Sequence, residues 1–366
     1  MTNQPASPAS ADAILDAERG GVTGFFDRAE VRQTIVALII ALTVTYSVMY
    51  TSLQYFNSNN VAGNSDALTY MEFATATGDI ESRRSKQARI FTIWLVKLVP
   101  NPPSWIFSRD RTVNDEWLLR IKFAAVNSAL VVGTAMLVWL LLRRQEFSVM
   151  ESYLGMLMFL GSLFIVYTTT IPMVEASNYF FIALGAYAIF SEKLPLYGLA
   201  LLLGLFAKET AGIILPLALV TYPRRWFAWF AWAVPGLAIY MVFRAYSIST
   251  GEGDLGHFDP EHLKGAIQSF TGLFRFNQGA ELVGAFGLLW IAAGYAALKG
   301  KLSSLYRRQL LIVALLLLIA LGFVVSLGRT VYMAFPVVIP VALLGIRAFL
   351  DQDSESSIDS NQTTYA

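Results

Sequence analysis

The chain has 366 residues, 55% of them hydrophobic and only 14% charged, with a mean hydropathy of +0.53. Soluble domains carry about 25% charged residues, so this composition cannot cover a water-soluble globule and specifies an integral membrane protein. A net charge of +1 gives no electrostatic case for nucleic acid, the absence of cysteine excludes disulfides and thiolate chemistry, and two histidines leave little for a histidine metal centre.

Residues 1–33 form a polar tail containing Asp12, Asp16, Glu18 and Arg19, without the basic start and A-x-A site of a secretory signal, and read as cytoplasmic. Apolar runs long enough to be membrane segments follow at 34–53, 118–142, 153–170, 179–190, 226–246, 282–298, 310–327 and 331–350. The stretch 195–222 decides the topology. As one helix it would be about 42 Å long, against a hydrocarbon core of ~30 Å. As one span it would also put Arg224, Arg225, Lys299, Lys301, Arg307 and Arg308 outside. As a hairpin with Lys208 and Glu209 at its tip, it puts them in the cytoplasm with Arg143 and Arg144. The expectation is an all-α polytopic protein of about ten membrane segments with both termini cytoplasmic. The membrane domain covers 34–350, and an acidic cytoplasmic tail covers 351–366, with Asp351, Asp353, Glu355 and Asp359.

Two connections are long, 54–117 and 247–281, and both fall outside, so the active face is expected to be external. No internal repeat announces a two-fold transporter. In the first outer loop, Asn64 and Ser65 precede apolar positions Ala67, Tyr70, Met71 and Ala74, and Gly78 follows, which predicts a three-turn amphipathic helix with Asp66 at its N-terminus. The helix dipole favours an ionised carboxylate there, and Asp66 reads either as a cap or as a reactive group. Next, Phe91, Trp94, Leu95 and Leu98 share one face of a second short helix, flanked by Arg89 and Lys97 and stopped by Pro100, Pro102 and Pro103. It predicts a helix lying on the outer membrane surface. The preceding Arg83, Arg84, Lys86 and Arg89 suit either anionic headgroups or a phosphorylated lipid.

Ionisable residues at membrane depth are costly and tend to line a cavity. Lys208 and Glu209 are the clearest case, read either as a recessed site or as a Lys–Glu pair solvated at a short loop. Arg329, between the last two runs, is either a snorkelling arginine or a bidentate phosphate ligand. Arg244 and Arg275 are weaker versions of it. The cluster His257-Phe258-Asp259-Pro260-Glu261-His262 matches no metal-ligand spacing and reads as polar loop.

Taken together, these motifs resemble the GT-C class of membrane glycosyltransferases. Asp66 with Tyr70 is similar to the acidic D-x-x-x-Y helix start of that class, and the segment from Arg89 to Pro100 to its surface helix. Lys208-Glu209-Thr210 with Pro216 is similar to a K-E-T-x-x-x-x-x-P segment of bacterial members, and Arg329 with Pro336 to a terminal R-x-x-x-x-x-x-P helix. The likeness spans 34–350 in layout, and no soluble C-terminal domain is expected to follow. The resemblance implies transfer of a sugar from a polyprenyl-phosphate-linked donor to a lipid, glycan or protein acceptor on the periplasmic side of the inner membrane, with inversion. Asp66 would be the catalytic base, and Lys208, Arg329 and Arg89 would bind the donor phosphate. Tyr70 and Glu209 would support them, and Glu72, Asp79 or Glu175 would supply a second carboxylate if a divalent cation assists. No cofactor is otherwise implied. The competing readings are a transporter or flippase of a lipid-linked sugar and a non-catalytic membrane subunit.

Overall fold

The structure is a computed structural model and describes residues 28–55, 65–75, 89–101, 115–249, 276–322 and 327–362. Among these residues every regular element is a helix. In chain order they are α1 (Arg28–Tyr55), α2 (Ser65–Thr75), α3 (Phe91–Leu98), α4 (Asp115–Arg144), α5 (Val149–Leu160), α6 (Leu163–Thr170), α7 (Glu175–Phe190) and α8 (Leu194–Ala207). A 3₁₀ turn (Glu209–Ile213) leads into α9 (Ile214–Thr221). Then come α10 (Trp226–Ser249), α11 (Phe276–Phe286), α12 (Leu289–Leu298), α13 (Ser304–Gly322), α14 (Leu327–Tyr332) and α15 (Phe335–Gln362).

Among the described residues three helices are long and apolar enough to cross a membrane, and up to five if each bent pair is one span. On two of them the apolar side chains point outward, with Ile39 on α1 56% exposed and Val242 on α10 71% exposed, whereas α4 is mostly buried. Rows of such residues are unfavourable in water and suit lipid.

Several runs expected as straight helices are interrupted. The run 153–170 is split into α5 and α6, bent by 59°. Gly161 caps the first helix, and the Ser162 hydroxyl caps the second by accepting from the Phe164 N–H. The run 282–298 is bent by 81° between α11 and α12, where Gly287 takes a φ of 53° open to glycine at no steric cost. The run 331–350 begins inside α14, turns at Met333 and Ala334, and continues as α15 through the acidic residues expected to form a separate tail. Hydropathy does not register direction, so none of these breaks shows in an apolar run.

At the centre lies α7, almost wholly buried and packed between α4 and α8. It serves as a ruler, about 24 Å long at 1.5 Å per residue. Beyond its C-terminal end, Glu192 pairs with Arg225, although 33 residues separate them. Hence α8, the 3₁₀ turn and α9 leave that end and return to it, as the hairpin expectation requires. The same end gathers Arg347 on Glu151, with contacts of 2.8 and 2.7 Å, and Tyr306 on Gln145 at 2.9 Å. The opposite end, where α7 starts, holds the cluster described below.

A helix forms at α3 as expected, and its two sides differ in burial. Thr92, Ile93 and Val96 are the residues packed inward, whereas Trp94 and Leu98 are 61% and 78% exposed. Phe91 alone of the four expected face residues makes a ring contact inward, edge-on to Phe181 at 4.8 Å. The helix therefore shows its tryptophan outward, as an interfacial anchor does.

Candidate functional site

Helix termini set the charges of this end. Glu175 opens α7, where free N–H groups and the helix dipole favour a carboxylate. Lys208 terminates α8 in an extended conformation, a position favourable to a cation, and Glu209 opens the following 3₁₀ turn. The two neighbours do not pair with each other. Lys208 Nζ donates to Glu175 Oε1 at 3.0 Å, while Glu209 receives Arg89, whose Nε donates to Oε2 at 2.9 Å and whose Nη2 donates to Oε1. A Lys–Glu pair at a solvated loop is thus excluded, since Lys208 is only 9% exposed and its partner Glu175 only 2%.

Arg329 Nη1 donates to the same Glu175 Oε1 at 3.2 Å. Its short helix is pressed against α11 at Gly328, where a Cβ would lie 2.4 Å from the Glu281 carbonyl oxygen, so glycine permits the approach that places the guanidinium. Arg89 Nη1 also donates to the Tyr70 hydroxyl at 2.9 Å, which ties α2 into the cluster. Burial works against the charge of Arg89, yet Glu209 and Tyr70 hold it well above the ordinary guanidinium value. Three cations, Arg89, Lys208 and Arg329, thus surround two carboxylates, Glu175 and Glu209, in a site whose charges act on one another.

Polar but uncharged residues continue the site inward. The Thr92 and Ser177 hydroxyls meet at 2.6 Å, and Asn127 donates to the Ile171 carbonyl at 3.0 Å. Asn178 donates to Met333 sulfur at 3.5 Å. Glu175 Oε2, Asn127 Oδ1, Asn178 Oδ1, the Tyr179 hydroxyl and the Thr170 hydroxyl are buried without a protein partner. Each such group costs about 1–3 kcal/mol, and native proteins keep them where they do something.

The structure therefore brings together Tyr70, Arg89, Glu175, Lys208, Glu209 and Arg329. Glu72 is exposed on α2, away from the buried face that holds Tyr70. The backbone of Asp66 lies in the first turn of α2, but its side chain is outside the described residues, as are Asp79, Arg83, Arg84, Lys86, Arg275 and 257–262. Arg244 donates to the Tyr240 hydroxyl at 3.3 Å on the side facing Glu209. Among the described residues no group of three or more Asp, Glu or His side chains is placed to hold a metal, and Glu175 and Glu209 are both engaged by cations. Thr92, Asn127, Ser177, Asn178 and Tyr179 carry no motif that marks them as site residues. The one signal in the sequence, for Ser177 and Asn178, is the run Glu175-Ala176-Ser177-Asn178 at the head of a short apolar helix.

Comparison of the chain with protein-family models, with curated proteins and with solved structures finds no match.

Proposed function

We propose that the chain is a GT-C-like membrane glycosyltransferase that moves a sugar from a polyprenyl-phosphate-linked donor to a lipid, glycan or protein acceptor. In this reading about ten segments cross the inner membrane, with α8 and α9 as a short hairpin. Both termini and the Arg225 end are cytoplasmic, following the positive-inside rule, and the cluster end is periplasmic.

The observation that carries the proposal is the grip of Lys208 and Arg329 on the single oxygen Oε1 of Glu175, with the Arg89–Glu209 pair beside them. A polyprenyl phosphate leaves as an anion and needs cations, not an acid, and preorganised cations stabilise developing charge without reorganising. Three cations against two carboxylates suit that role, because an incoming phosphate can share Lys208 and Arg329 with Glu175. Asp66, at the start of α2, would take the acceptor proton, and a single displacement would invert the anomeric centre. The orphaned polar atoms of Asn127, Asn178 and Tyr179 lie buried and would have to be uncovered on donor binding to meet sugar hydroxyls.

The test is incubation of the purified protein with labelled polyprenyl-phosphate sugars, followed by analysis of lipid and acceptor products. Transfer is expected in the native chain. Asp66→Asn should abolish it while protein level and donor binding persist, and sustained turnover in that variant would sink the assignment. A transporter of a lipid-linked sugar is the second reading. It is favoured by the helix interruption at Lys208, since transporters place broken helices at their binding sites. It predicts labelled substrate crossing a proteoliposome bilayer without chemical change.

A further inference from the structure

At the end of the bundle opposite the charged cluster, the turn after α9 and the start of α13 line an open cavity of about 800 Å³. Two arginine pairs line it, Arg224 with Arg225 in the turn after α9 and Arg307 with Arg308 near the start of α13, and among its lining residues Glu192 is the sole carboxylate. Glu192 is already engaged by Arg225. Arg308 Nε is buried without a hydrogen-bond partner. The floor is polar too. Thr221 Oγ1 accepts from Gln309 Nε2 at 3.0 Å.

A topology signal alone requires only that bases be on this side of the membrane. It does not require two pairs so far apart in the chain to converge on one hollow, nor a guanidinium nitrogen to be buried unsatisfied. Guanidinium forks match phosphate oxygens bidentately, and a basic pocket between membrane helices is the chemistry that holds an anionic headgroup. The level is right as well. Directly after Arg225 stand Trp226 and Phe227, 55% and 69% exposed, aromatic residues of the kind that mark the headgroup boundary.

We infer that this cavity binds a phosphate group, supplied by an anionic phospholipid whose headgroup enters between α9 and α13. Arg224, Arg307 and Arg308 hold the phosphate, and Arg225 stays on Glu192. The site lies at the other end of α7 from the cluster and does not rest on the glycosyl-transfer reading.

The experiment uses the full chain, delipidated in a neutral detergent. Bound lipid is counted by native mass spectrometry, and thermal unfolding is followed with added phosphatidylglycerol, phosphatidylcholine or inorganic phosphate. Phosphatidylglycerol is expected to be retained and to raise Tm, and phosphatidylcholine to do neither. Arg308→Gln, and separately the more exposed Arg224→Gln, should weaken phosphatidylglycerol binding roughly tenfold, the loss of about one charge-assisted contact. Lys301→Gln, an exposed base on the same face that does not line the cavity, should leave binding unchanged. The Tm of each variant without lipid shows that it is folded, and Arg224→Gln keeps the test alive should Arg308→Gln fail to fold. Equal weakening by Lys301→Gln, or equal retention of phosphatidylcholine, would overturn the site. Equal protection by inorganic phosphate, lost in the same variants, would overturn the lipid source and leave a soluble phosphate as its occupant.

Discussion

The hydroxyls of Thr92 and Ser177 lie 2.6 Å apart, in a contact that fastens the short helix α3 to the first turn of α7, two residues from Glu175. Ser177 donates its one proton to the Val174 carbonyl at 2.7 Å, so Thr92 must be the donor to Ser177. The two truncations therefore differ. Thr92→Val leaves Ser177 satisfied and should cost about 1 kcal/mol, whereas Ser177→Ala strands a buried hydroxyl and should cost about 1–3 kcal/mol. The double variant should cost less than the sum of the two. Denaturation of the detergent-solubilised protein measures all three.

Glu175 depends on its cations because it is 2% exposed. Removing one partner of a buried charge pair costs about 3–5 kcal/mol, since the other charge is left uncompensated. Lys208→Met leaves Glu175 its ion pair with Arg329, so the loss should fall toward the lower end of that range. Adding Glu175→Gln should restore most of the stability and none of the proposed transfer activity. A double variant that regained turnover would show that the cations serve the fold alone.

Arg89 spends three N–H groups on two partners, which a lysine cannot copy. Arg89→Lys should free α2 and α3 from the hairpin tip and speed proteolysis within the first long connection several-fold. Tyr70→Phe, which removes its hydrogen bond from Arg89, should have a smaller effect, about 1 kcal/mol in stability. Limited proteolysis followed by mass spectrometry reads both.

Close packing of α12 on α15 rests on Gly345, where a Cβ would stand 1.9 Å from the Ala292 carbonyl oxygen. Gly345→Ala must push two backbones apart and should destabilise by about 3 kcal/mol. Gly294, on the same α12, would meet nothing within 4 Å. Gly294→Ala should be neutral or stabilise by up to about 1 kcal/mol through helix propensity. Thermal unfolding of the two alanine variants gives opposite signs if the helix crossing is as described.

Much of the layout is legible in charge and length. The hairpin tip at Lys208 and Glu209 follows from a stretch too long for one crossing, and the basic end follows from where Arg224, Arg225, Arg307 and Arg308 fall. Partners are harder to read. Glu209 and Arg89 are 120 residues apart, and no spacing rule links them. Glu175 stands in the sequence only as one of three possible second carboxylates, because a single acid at the head of an apolar run does not say which cation will meet it. The apolar stripe of α3 is visible, but a stripe is equally suited to protein or to lipid. Only packing shows that Ile93 and Val96 face inward while Trp94 faces out.

The shortness of α7 has a consequence for the depth of the cluster. At about 24 Å it falls several ångströms short of a ~30 Å hydrocarbon core, and other helices, not lipid, enclose almost all of it. With its other end at the basic boundary, its charged N-terminus lies within the membrane's depth and must be reached through protein. A charged amine-reactive reagent too large to enter the bundle should therefore fail to modify Lys208, which is 9% exposed, until the protein is unfolded.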